Sequence, residues 1–228
     1  VPAEALYGVQ TLRGLENFPI SCFHLNDYPL FINGLAMTKL AAAEANYQLG
    51  LLTEEQYNAI PQACREILAG QHHEHFPVDM IQGGAGTSTN MNANEVIANI
   101  ALEKMGKALG DYKFCHPNDH VNMAQSTNDV YPTSLKLSIY KEGMELVDVL
   151  EDLYNALMAK SEEFRNVLKL GRTQLMDAVP VTLGQEFHAY ASAVARSLKR
   201  IQNVQAEMYP VNIGGTAIGT GINADRKY

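Results

Sequence analysis

The sequence predicts a mainly α protein, an N-terminal helical domain followed by the long helices of a central helical bundle. Three observations carry this expectation. Residues 35–49 form an Ala-rich run of strong helix formers that stops at Gly50. Thr53 and Gln56 have the spacing of a capping box. Two later stretches repeat apolar residues at steps of three, four or seven, the period of helices packed in a bundle.

Taken in order, residues 5–12 mix apolar and polar side chains over a short stretch, and an edge strand is expected there. A helix is predicted over residues 32–49, and a second from Thr53 to Gly70, kinked or divided at Pro61. A third should run from Met91 to Met105 and end near Gly106 and Gly110. Beyond Asp129, Pro132 suits a first helical turn. From there Leu135, Ile139, Leu146, Leu150, Leu153 and Leu157 make one stripe, and Tyr140, Met144, Val147, Tyr154 and Met158 make another. A helix of about 30 residues, roughly 45 Å long, is expected to be contacted from more than one side. Leu183, Phe187, Tyr190, Val194, Leu198, Ile201, Val204 and Met208 mark a further long helix before Pro210. Two such helices cannot bury their apolar faces alone, so an oligomer is expected. The domain division is placed at residues 1–128 and 129–228.

With 228 residues, 46% hydrophobic and 8% aromatic, the chain can bury a sizeable core. A formal charge of -8 without a basic run argues against nucleic acid as a partner. Cys22, Cys64 and Cys115 lack paired spacing and read as free thiols of a reducing compartment, with the cytoplasm as the expected location. No leader pattern opens the chain, and no apolar run approaches the roughly 20 residues that span a bilayer. Val1 is not an initiator Met and the chain stops at Tyr228 without a closing helix, so a fragment is expected.

Three segments concentrate hydroxyls, carboxamides and glycines ahead of helical stretches: GGAGTSTNMN at residues 83–92, HPNDHVNMAQSTND at 116–129 and GRTQLMDAVP at 171–180. Backbone N–H groups at helix starts attract anions, and Thr, Ser, Asn and Gln donate hydrogen bonds without carrying charge. Together they suit a small dicarboxylate. Taken singly, each segment is equally well a glycine turn, a cap or a structural salt bridge at Arg172. The tract His72, His73, Glu74, His75 reads as a solvated loop, because consecutive histidines point in different directions. The GxGxxA match at residues 219–224 lacks a βαβ context, and His188 reads as a packing or surface residue.

Taken together, GGAGTSTNMNANEVIAN, HPNDHVNMAQSTND, GRTQLMDAVPVTLGQEF and GGTAIGTGIN resemble the aspartase/fumarase superfamily along essentially the whole chain. The resemblance implies long bundle helices shared by four subunits, active sites composed from three of them, and a route that requires no cofactor, while the residues themselves give no metal site. It implies that Thr87, Ser126 and Thr127 bind the β-carboxylate of the substrate, that Asn128 and Thr87 contact the amino group, and that Thr173 and Gln174 lie at the α-carboxylate. Gln174 stands where fumarases carry a prominent histidine, which favours elimination of ammonia from L-aspartate over hydration of fumarate. His116, Asn118 and Asp119 resemble a second anion site of fumarases and keep the hydratase as the alternative, beside a noncatalytic scaffold of the same fold. The superfamily's base is a serine in a loop of pattern GSSxMPxKxN, which does not occur in these 228 residues.

Overall fold

The computed structural model describes residues 1–84 and 86–228. Among the described residues six α-helices and one β-hairpin follow in order: α1 (Val9–Asn17), α2 (Pro29–Gln48), α3 (Glu54–Leu68), α4 (Thr87–Lys104), α5 (Thr127–Glu163), β1 (Leu168–Thr173), β2 (Met176–Thr182) and α6 (Leu183–Ala206). The mainly α expectation holds. The chain forms two compact units, Val1–Ser138 with Pro210–Tyr228, and Ile139–Tyr209.

In the first unit α2, α3 and α4 surround one core of Ile32, Leu35, Ile60, Ala63, Cys64, Ile67, Val96, Ile97, Ile100 and Leu102. Helix α3 starts as its sequence demands. The Thr53 hydroxyl accepts from Gln56 N–H, and the Gln56 side chain accepts from Thr53 N–H. Of the two expected outcomes at Pro61, division does not occur; Pro61 lies inside one continuous helix and is buried with Ile60, Ala63 and Cys64, and packing outweighs one lost backbone bond.

Helix α4 is buried along most of its length, and its polar residues tie outlying loops to the core. Asn92 donates to His75 C=O at 2.9 Å, and Asn99 donates to Leu6 C=O at 2.7 Å. Glu95 accepts from the N–H groups of Gly8, Gln10 and Thr11 at 2.9–3.0 Å and from the Thr11 hydroxyl at 2.7 Å. This carboxylate closes the open amino end of α1 and explains why residues expected as an edge strand wind into a helix from Val9.

Helix α5 begins at Thr127, five residues ahead of Pro132, because Ser126 and Asp129 cap it reciprocally. Asn128 N–H donates to Ser126 Oγ at 3.3 Å, and Ser126 N–H donates to Asp129 Oδ1 at 2.9 Å.

In the second unit the residues 171–180 do not sit at a helix start. They form the bend and arms of an antiparallel hairpin that pairs Leu168 with Thr182 and Thr173 with Met176, with an irregularity between Leu170 and Arg172. Gln174 and Leu175 take φ of 51° and 64°, the left-handed pair of a two-residue hairpin turn. Thr182 then caps α6 through Gln185. Leu146, Val149, Leu153, Tyr190 and Val204 are exposed along α5 and α6. No described helix is long and apolar enough to cross a membrane.

Candidate functional site

The first unit brings the first two hydroxyl- and amide-rich segments together. Helix α4 opens at Gly86, whose φ of 91° and close approach to the Tyr131 ring leave no room for a side chain. The Gln82 side chain spans the first turn, accepting from Thr89 N–H and donating to Thr89 Oγ1, each at 2.8 Å. Thr87 heads this turn and is exposed. Ala85, inside the first segment, lies outside the described residues.

The second segment meets the first through Asn90. Its Nδ2 donates to Thr127 Oγ1 and to Asn122 Oδ1, both at 3.1 Å. The Thr127 hydroxyl thus has an acceptor site filled from behind, which biases its proton outward. Ser126 Oγ is already engaged as the cap of α5 but keeps its proton to donate. Asn128 is exposed; its Nδ2 donates to Ala217 C=O at 2.7 Å.

Behind these residues lies a side chain that the sequence reading missed. Lys39 is fully buried, and its Nζ donates to Asn122 Oδ1 at 2.7 Å and to Gln125 Oε1 at 2.9 Å. Gln125 donates in turn to the carbonyls of Val121 and Met123 at 3.0 Å, so one ammonium organises the whole turn that delivers Ser126 and Thr127. Burial pulls the Lys39 pKa down to about 7, while the Asp129 carboxylate and, more weakly, Cys64 draw it up. A signal was present: Leu35, Ala36, Lys39, Ala42, Ala43 and Asn46 fall on one buried face of α2, and Lys39 interrupts an apolar stripe.

Asp129 ties the site to the returning chain. It is completely buried, accepting from Ser126 N–H through Oδ1 and from Thr216 N–H through Oδ2 at 2.8 Å. A cleft of about 710 Å³ opens beside this arrangement, lined by Met80, Gln82, Gly84, Gly86, Asn128, Tyr131, Pro132 and Leu135. Residues of both segments reach it, and its mixed polar and apolar walls fit a small organic anion.

The other sequence candidates fall elsewhere. Thr173 and Gln174 are exposed at the hairpin bend of the second unit. His116 caps the short turn Pro117–Val121: its Nδ1 accepts from the N–H groups of Asn118 and Asp119, each at 3.2 Å. Asn118 and Asp119 are exposed. Cys22 is exposed and Cys64 and Cys115 are buried, all three as free thiols.

Comparison with known proteins places the chain in a family. Residues 1–228 match the family described as Lyase. An aspartate ammonia-lyase from Pseudomonas aeruginosa is 58% identical over 229 residues, covering 100% of this chain and 48% of the relative. The aspartate ammonia-lyase of Escherichia coli is 50% identical with the same coverage. Among solved structures, a fumarate lyase:delta crystallin from Brucella melitensis bound to cobalt superposes with TM-score 0.96 at 53% identity, covering 100% of this chain and 50% of that one. A class II fumarase from Schistosoma mansoni gives TM-score 0.90 at 41% identity, with 99% and 47% covered. The chain spans about half the length of the curated relatives it matches. With the motifs, the helices they cap and the match over every residue in agreement, the chain belongs to the lyase family that contains the aspartate ammonia-lyases.

Proposed function

We propose that the complete protein is an aspartate ammonia-lyase that reversibly eliminates ammonia from L-aspartate to give fumarate. The observation that carries this reading is the Asn90 carboxamide, which joins the two segments and donates to the Thr127 hydroxyl, leaving the proton of that hydroxyl to be donated elsewhere. Uncharged donors at a helix start suit a carboxylate whose charge grows during reaction. When a base removes the proton beside the β-carboxylate, the electron pair moves into that carboxylate as an aci-carboxylate, and donors fixed in advance stabilise it. Thr87, Ser126 and Thr127 take this carboxylate, Asn128 and Thr87 take the amino group, and Thr173 and Gln174 take the α-carboxylate. The serine base belongs to a loop of pattern GSSxMPxKxN absent from these 228 residues, so this chain alone is inactive. The route needs no cofactor.

The working protein in this reading is a cytoplasmic homotetramer with sites composed from several subunits. The groove between α5 and α6, about 590 Å³ and lined by Ile139, Leu146, Ile201, Val204 and Met208, supports it, because a single chain leaves this apolar surface open. The family division at residues 1–128 and 129–228 separates the segments of the first carboxylate grip from the bundle. Neither nucleic acid nor membrane is expected as a partner of so acidic a chain.

A class II fumarate hydratase is the second reading, favoured by the 41% identity to a fumarase and by the turn that His116 caps beside Asn118 and Asp119. Fumarate titrated into the complete protein while its thermal unfolding is followed tests the common ground of both. Stabilisation that grows with ligand is expected. Indifference to dicarboxylates would leave only a noncatalytic scaffold.

A further inference from the structure

The loop after α3 assembles a second group of chemistry-bearing side chains that the proposed reaction does not use. The chain leaves α3 through Gly70 at φ 85° and turns again at His72 at φ 67°, before one 3₁₀ turn, His73–His75. These two reversals undo the divergence expected of consecutive histidines. One ring nitrogen each of His72 and His75 and a carboxylate oxygen of Glu74 lie within 4.8 Å of one another. His73 faces elsewhere, with Nε2 2.9 Å from Ile67 C=O at the end of α3.

We propose that His72, Glu74 and His75 form a surface site for a borderline divalent cation such as Zn²⁺, with Glu66 orienting His72. Two imidazoles and one carboxylate select zinc-like ions over the hard, all-oxygen preference of Mg²⁺ and Ca²⁺. Tetrahedral bonds of roughly 2.0–2.1 Å hold ligand atoms about 3.3 Å apart. The exposed Glu74 side chain is free to close the remaining gap, and water completes the coordination. Glu66 Oε2 lies 3.4 Å from His72 Nε2, while Lys104 holds the other Glu66 oxygen at 2.5 Å; a carboxylate fixed in this way orients a ligating imidazole. His75 Nε2 is 3.7 Å from Glu74 Oε1 and faces the cluster. Its Nδ1 accepts from Leu6 N–H at 3.4 Å, so a cation on Nε2 moves the ring proton to Nδ1 and takes the acceptor from Leu6 N–H, a cost that the metal bonds must exceed. Asn92 of α4 holds His75 C=O, so the bound ion would pin this loop to both α3 and α4.

The test uses the complete protein without an affinity tag, stripped by a chelator, and titrated with Zn²⁺ by calorimetry and with Co²⁺ by visible absorption. One ion per chain is expected at this site, with the intense absorption of low-coordinate Co²⁺. His72→Asn, which tolerates the left-handed backbone, and the exposed Glu74→Gln should each weaken binding by about tenfold or more, while His73→Gln leaves it unchanged. Zn²⁺ should raise the unfolding temperature of the wild type and not that of His72→Asn. Absence of binding, or equal loss in His73→Gln, overturns the site. Because none of these residues serves the dicarboxylate, activity toward aspartate decides nothing here and the two readings fail separately.

Discussion

The side-chain amide of Asn212 donates, at 2.9 Å, to the backbone carbonyl of Asn128, the acceptor that Pro132, four residues further along α5, has no N–H to fill. A proline six positions into a helix is thereby tolerated, and the returning chain becomes part of the site's support. Asn212→Ala should cost about 1 kcal/mol in urea unfolding and raise the KM for the substrate, through a looser Asn128. Unchanged values for both would show that the contact holds nothing.

Lys39 should leave a signature in the pH dependence of stability. Its pKa falls from 10.5 to about 7 on folding, so between these values the unfolded chain binds more protons than the folded one. Stability from this group therefore rises as pH increases from about 7 toward 10.5, and the penalty of the buried charge is fully present below 7. Comparing unfolding temperatures of wild type and Lys39→Met across that range should show the rise flattened in the variant.

Thr127 donates to the substrate carboxylate in this account. In the complete enzyme Thr127→Val should lower kcat by about 10²–10³, the effect of losing one preorganised donor, while Thr127→Ser retains most of the rate. Steady-state kinetics of the pair separates loss of the donor from loss of shape.

Glu95 is a stability residue whose effect is read without substrate. Glu95→Gln turns an acceptor oxygen into a donor facing the N–H groups of Gly8 and Thr11, and should destabilise by about 2–3 kcal/mol. Denaturant midpoints measure it, and hydrogen exchange should show α1 opening first.

The helices that follow local rules were legible in the sequence. Thr53 with Gln56 and the stop at Gly50 placed α3 and the end of α2 within a residue or two of where they lie. What escaped depends on partners distant in the chain. Helix α1 is completed by Glu95, some eighty residues away, which no window around residues 5–12 contains. The hairpin escaped because its turn places Gln174 and Leu175, neither Gly nor Asn, at positive φ, so the usual turn signal is missing. Ser126 and Thr127 stood out as a polar cluster. Lys39 did not, because only packing shows that its ammonium ends beside Asn122 and Gln125.

The most direct test offers L-aspartate and L-malate in parallel to the complete protein and follows fumarate by its absorbance, with this chain alone as the control. The account predicts fumarate from aspartate only, and none from the isolated chain. Fumarate from malate alone would contradict it, making the protein a hydratase and removing the amino-group role from Asn128.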